Sequence, residues 1–186
     1  MRLQYIKEAW LVLVLGVFFG GALAGVHYQL GDRISRNKLA DTLSQVPMLV
    51  SGSADSEPAQ VGGMLVYRAM DEAGQTLGWV LPAGGPGFAD RLELLIGLDA
   101  RAEKITGLYV LDQKETPGLG NRIVEQIWRG QFKGTQTDRA IKLVKTAPGE
   151  NQVQAITGAT ISSQSVTDIV NRSVRDFRAA MDEANK

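Results

Sequence analysis

The 186-residue chain contains no cysteine. That removes disulfides, thiolate metal sites and iron–sulfur clusters held by this chain alone. It has one histidine, His27, so a metal or haem site with two imidazoles from this chain is excluded as well. Redox chemistry here would need an organic cofactor, or one shared with a partner. Net charge is also missing: 20 basic residues balance 20 acidic ones. No bulk charge therefore points to nucleic acid or to an anionic lipid surface as a partner. Internal repeats and charge blocks are absent too. The length allows one membrane anchor and one domain of ordinary size.

One long apolar run is present. Ala9–Gly31, 23 residues, carries no formal charge with His27 neutral. At about 1.5 Å per residue it reaches roughly 34 Å, enough for a hydrocarbon core of about 30 Å. Gly16 and Gly20 have small-xxx-small spacing, as do Gly21 and Gly25. Such glycines either let a partner helix approach closely or are background composition. The run reads as a single transmembrane helix. The other reading is a cleavable signal peptide, with Ala22-Leu23-Ala24 as its cleavage-like triplet. Arg2 and Lys7 precede the span, and Arg33, Arg36 and Lys38 follow it. The positive-inside count does not orient it.

Residues 32–46 place Ile34, Leu39, Leu43 and Val46 near helical spacing and extend the anchor as a stalk. Pro47 and the serine-rich stretch 51–58 read as a loop. The chain thus divides into a membrane segment (1–31), a stalk and linker (32–60) and a folded domain (61–186). In that domain, residues 64–70 and 76–81 form a hairpin, and 92–98 and 104–111 a second. Residues 121–128 read as a short helix, and 141–145 and 153–156 as strands split by a Pro148-Gly149 turn. The last segment is an amphipathic helix with Val166, Ile169, Val170, Val174, Phe177 and Met181 on one face. Ser162 or Ser163 can cap its start. The fold class is α+β, with helices packed on one face of an antiparallel sheet.

Three loops hold more glycine than a turn requires: Pro82-Ala83-Gly84-Gly85-Pro86-Gly87-Phe88, Lys114-Glu115-Thr116-Pro117-Gly118-Leu119-Gly120 and Thr157-Gly158-Ala159-Thr160-Ile161-Ser162-Ser163. The first reads as a tight connection. In the second, Pro117 and Gly118 suit a type II turn. Its bare backbone beside Glu115 and Thr116 suits a planar ligand with a polar edge. In the third, the Thr160 hydroxyl is flanked by small residues just before a helix. A phosphate there would gain about 0.3–1 kcal/mol from the helix N-terminus when exposed. Thr157, Ser162 and Ser163 could donate further hydrogen bonds. A helix start with spare hydroxyls accounts for the same residues equally well. No residue reads as a general base, a nucleophile toward substrate or a metal ligand.

The second and third loops, in this order behind an apolar span, resemble the covalent FMN-binding subunits of two complexes. One is the G subunit of the bacterial Rnf electron transport complex. The other is the C subunit of the Na⁺-translocating NADH:quinone reductase. The resemblance covers essentially the whole chain, and the short length favours the Rnf-type protein. It implies an FMN-binding domain behind a single transmembrane helix in a bacterial inner membrane, with the domain on the periplasmic side. It implies electron relay through FMN in a complex coupling ferredoxin–NAD⁺ electron transfer to Na⁺ or H⁺ transport. The partners would be the other membrane subunits and, during maturation, a flavin transferase. That enzyme takes FMN from FAD, using Mg²⁺, and joins its phosphate to the last threonine of Asp-x-x-(Ser/Thr)-Gly-Ala-Thr. The matching residues are Thr157, Gly158, Ala159 and Thr160, so Thr160 is the implied acceptor. The loop from Glu115 through Thr116, Pro117, Gly118 and Leu119 to Gly120 is implied to line the flavin ring. The motif's aspartate falls on Gln154, which cannot act as a base or bind a cation with full charge. Gln154 motivates the competing reading, a non-flavinylated assembly subunit. The equivalent component of the quinone reductase is the third.

Overall fold

The apolar run folds as part of one helix, α1 (Arg2–Leu49). The structure, a computed structural model, describes the backbone of residues 2–184 and the side chains of residues 9–184 other than 32, 34–36 and 38. Ile34 of the stalk pattern lies outside the described side chains, as do Arg2, Lys7, Arg36 and Lys38 of the charge count. Two compact units result, Met1–Asp41 and Thr42–Lys186. In the first, Ala9–Gly31 has a mean hydropathy of 2.2 and its side chains face outward. Open space surrounds Gly16, Gly20, Gly21 and Gly25.

Pro47, expected to open a loop, instead sits inside the last turn of α1. Its missing N–H costs one backbone bond close to the helix end, where the ladder is already short. Around it Val46, Leu49 and Val50 are buried, which offsets that loss.

Five antiparallel strands follow in chain order: β1 (Asp55–Val61), β2 (Met64–Met70), β3 (Thr76–Pro86), β4 (Arg91–Asp99) and β5 (Ile105–Asp112). Both expected hairpins form. Two expectations fail at their margins. The stretch read as a loop contains the start of β1, with Pro58 opposite Tyr67. β1 is an edge strand, where a residue without an N–H is tolerated. The first glycine loop is largely strand as well: Pro82 to Pro86 pair with Leu95 to Arg91.

Gly85 there serves packing against α3 (Thr160–Ala184), since a Cβ on it would lie 2.7 Å from Ile169 Cγ1. Gly85→Val should therefore wedge α3 from the sheet and cost about 1–3 kcal/mol. The urea midpoint of the purified protein measures it, and an unchanged midpoint contradicts this role.

Cover on a single sheet face, also expected, is corrected to two. Leu92, Leu94, Ile96 and Leu98 of β4 join Val166, Ile169, Val170, Val174 and Phe177 of α3 in one core. Leu95 points the other way and packs with Val46, Leu49, Val50, Tyr67 and Val80 in a second. A strand apolar on both faces needs cover on both, and residues 46–50 supply the second.

The expected helix at 121–128 is broken. A 3₁₀ turn (Gly120–Val124) and a short helix, α2 (Gln126–Arg129), meet at the extended Glu125. This break lets Ile123, Trp128 and Phe132 all be buried. The two late strands, β6 (Lys142–Val144) and β7 (Gln152–Gln154), pair in parallel.

Candidate functional site

Parts of all three glycine loops meet at one cleft of about 310 Å³, walled by Phe88, Thr116, Leu119, Gly120, Gly158, Ala159, Thr160, Ile161 and Ser162. The second loop turns as its sequence predicts. Leu119 donates its N–H to the Thr116 carbonyl at 3.2 Å, and Gly118 takes φ +75°. That is the left-handed value the third residue of a type II turn requires. The Gly118 N–H then donates to Asn121 Oδ1 at 2.8 Å. In the third loop Gly158 takes φ +83°, and Thr160 is the first residue of α3.

The cleft is apolar at its mouth. Phe88 is 62% exposed, Leu119 47% and Ile161 58%. The three large apolar side chains stand together around one cleft rather than scattered singly. Bare backbone at Gly120 and Gly158 stands beside them, together with the exposed Thr160 hydroxyl. The first N–H groups of the 25-residue α3 have no intrahelical partner. A flat ring system bearing a phosphate fits this combination: apolar side chains for the ring, and a hydroxyl and helix start for the phosphate. A larger hollow of about 420 Å³ lies between residues 136–141 and α3. Its polar groups are largely spent within the chain. Asn171 holds the Ile141 backbone through two bonds of 2.8 and 2.9 Å, and Arg178 donates to Thr137 Oγ1.

The predicted site residues separate into three sets. Thr116, Leu119, Gly120, Gly158, Ala159, Thr160 and Ser162 wall the cleft. Pro117, Gly118 and Thr157 are exposed outside its walls. Glu115 and Ser163 are buried and likewise not part of the walls. Capping of α3 by Ser162 or Ser163 is corrected: both lie inside the first turns of the helix. Ser163 Oγ accepts the Ile156 N–H at 3.1 Å and donates to the Ala159 carbonyl at 2.9 Å. Ser162 Oγ donates to Glu115 Oε2 at 2.6 Å. Neither hydroxyl proton is left for a phosphate. Phe88 and Ile161 are wall residues that sequence reasoning misses. The available signal for Phe88 is an aromatic next to glycine in a polar stretch.

One exposed ion pair lies beside the site, Lys114 Nζ to Asp90 Oδ2 at 3.2 Å. The Arg91 amide, then Lys114, hold the Asp90 carboxyl below its ordinary range, and Asp90 holds the Lys114 ammonium above its own. Both groups are open to water, so screening leaves the pair little weight in stability. Gln154 is exposed. Its backbone is pinned by Trp128 Nε1–H to its carbonyl at 2.8 Å and by its own N–H to Gln131 Oε1 at 2.8 Å.

Comparison with known proteins agrees with this geometry. Residues 87–175 match the family model of the FMN-binding domain. The G subunit of the ion-translocating oxidoreductase complex of Aliivibrio fischeri is 32% identical over 97% of this chain and 94% of that one. The G subunit of the proton-translocating ferredoxin:NAD⁺ oxidoreductase complex of Clostridium ljungdahlii is 28% identical over 87% of this chain and 86% of that one. In fold, the chain is similar to the C subunit of the Na⁺-translocating NADH-quinone reductase from Parabacteroides distasonis. The TM-score is 0.57 at 21% identity, covering 82% of this chain and 93% of that one. An FMN-binding domain behind an apolar helix, aligned over nearly the full length of a named relative, places this chain in the G-subunit family of Rnf-type ion-translocating oxidoreductase complexes.

Proposed function

We propose that this chain is the membrane-anchored flavoprotein subunit of an ion-translocating ferredoxin:NAD⁺ oxidoreductase complex. It relays electrons through FMN joined by its phosphate to Thr160. The observation that carries the reading is the exposed Thr160 hydroxyl at the start of α3, inside a cleft with an apolar mouth. FMN supplies one- and two-electron chemistry when bound. Thr160 contributes the oxygen of the phosphoester, and the neighbouring N–H groups of α3 face the phosphate charge. Phe88, Leu119 and Ile161 would offer the ring apolar contact. The apolar N-terminal helix supports membrane association. The protein works with other membrane subunits, carries its domain on the periplasmic side, and receives FMN from a flavin transferase.

Co-expression with such a transferase, followed by a denaturing gel, tests the reading. A fluorescent flavin band at the mass of this chain is expected. A dark band from protein that was folded and membrane-bound contradicts covalent attachment.

A further inference from the structure

We propose that Glu115 is a positioning residue whose buried carboxyl group clasps the Phe88-Ala89 turn and the first turn of α3 to the second glycine loop. It thereby sets the shape of the cleft beside Thr160 and does not touch what the cleft holds. This departs from a role for Glu115 in lining the ring. The side chain is 4% exposed and forms no part of the cleft wall. Oε1 accepts the Phe88 N–H at 2.8 Å and the Ala89 N–H at 3.1 Å. Oε2 accepts the Ser162 hydroxyl at 2.6 Å. One side chain therefore joins three segments far apart in the chain, and two of its partners, Phe88 and Ser162, are themselves wall residues.

The glycines around it support the same role. A Cβ on Gly87 would lie 2.3 Å from Glu115 Oε1. One on Gly120 would lie 2.6 Å from Glu115 Oε2 and 2.7 Å from Ser162 Oγ. Approaches this short exclude any side chain at either position while the clasp is in place. At Gly120 the space is taken by the clasp itself, and at Gly87 it is shared with the Asp90 carbonyl, 2.6 Å from the same Cβ position. Without the carboxyl, two N–H groups and a buried hydroxyl lose their acceptor together, and the tie left between this turn and the second loop is the exposed Lys114–Asp90 ion pair, which water screens.

Glu115→Gln keeps the clasp in altered form. Its carbonyl oxygen still accepts the two N–H groups, and its amide donates to Ser162 Oγ, which turns from donor to acceptor. Glu115→Ala abolishes it. The flavin readout rests on the reading that the cleft takes FMN, whereas amide hydrogen exchange does not.

In the full chain without flavin, Glu115→Ala should speed exchange at the Phe88 and Ala89 amides by about tenfold or more, while Glu115→Gln stays within about threefold of the wild type. Should Glu115→Ala fail to fold, Ser162→Ala reports instead. It breaks only the α3 arm, yet should speed exchange at Phe88, 74 positions away in sequence. In the flavin-loaded protein, the visible circular dichroism of the ring should fall by about half or more per bound flavin in Glu115→Ala and recover in Glu115→Gln. Unchanged exchange at Phe88 and Ala89 in Glu115→Ala, or in Ser162→Ala where that variant stands in, overturns the clasp. So does unchanged ellipticity with flavin bound. A wild-type chain that takes no flavin overturns the proposed function instead, and the exchange result then decides the clasp alone.

Discussion

On the proposed attachment, Thr160→Val is expected to leave the chain without covalently held flavin and with its fold in place. Valine matches threonine in shape and lacks only the hydroxyl. Thr160 is exposed, and among the described residues its hydroxyl has no hydrogen-bond partner in the chain. The exchange should therefore change stability by no more than about 0.5 kcal/mol. The functional effect should be all-or-none, because the proposed phosphoester needs an oxygen at that position and its neighbours are placed so that they would not replace it. Ser162 and Ser163 are buried and their protons are committed to Glu115 and to the Ala159 carbonyl. Thr157 is exposed but stands outside the cleft. In-gel fluorescence of Thr160→Val should fall to background with unchanged expression and melting. Thr160→Ser should restore part of it. Full fluorescence in the valine variant would move the attachment point elsewhere.

The largest stability effect is expected at Phe177. Its side chain is fully buried in the core between α3 and the sheet, and its ring sits 5.7 Å from that of Trp79. Phe177→Ala deletes an aromatic ring from a close-packed site and should cost about 3–5 kcal/mol. Domains of this size are typically stable by only about 5–15 kcal/mol. Because α3 also carries Thr160 and Ser162, the variant should lose flavin occupancy roughly in step with its folded fraction. Urea denaturation of the wild type and the variant measures this. A cost below about 1 kcal/mol would mean that α3 is not what closes the core.

Much of the fold is legible in the sequence because the signals are local. Strand β2 begins and ends where its strand-like run does, and the apolar face of α3 follows helical spacing. The Thr116-Pro117-Gly118-Leu119 turn follows from proline and glycine chemistry alone. The departures share a different origin. Pro58 and the glycines at 84 and 85 read locally as breaks, yet each is tolerated by its place in the sheet. Pro58 lies on an edge strand, and Gly85 lies where α3 presses close. Nothing within a few residues reveals either condition. The two-sided cover of the sheet has a local signal in Leu94-Leu95-Ile96 of β4, which leaves no face for solvent.

The site divides in the same way. Thr116, Leu119, Gly120 and residues 158–160 follow from composition and resemblance, and they do meet at one cleft. The contribution of Phe88 depends on a carboxyl group 27 residues away. The role of Ser163 depends on an amide seven residues earlier. Both are tertiary facts with no local trace.

The attachment of FMN to Thr160 is tested most directly by mass spectrometry of the tryptic peptide spanning residues 146–172, taken from protein matured alongside a flavin transferase. That peptide contains Thr157, Thr160, Ser162 and Ser163 together. It should be heavier by the mass of FMN less one water, with fragment ions placing the addition on Thr160. An unmodified peptide, or an addition on any other hydroxyl of the peptide, would contradict the assignment.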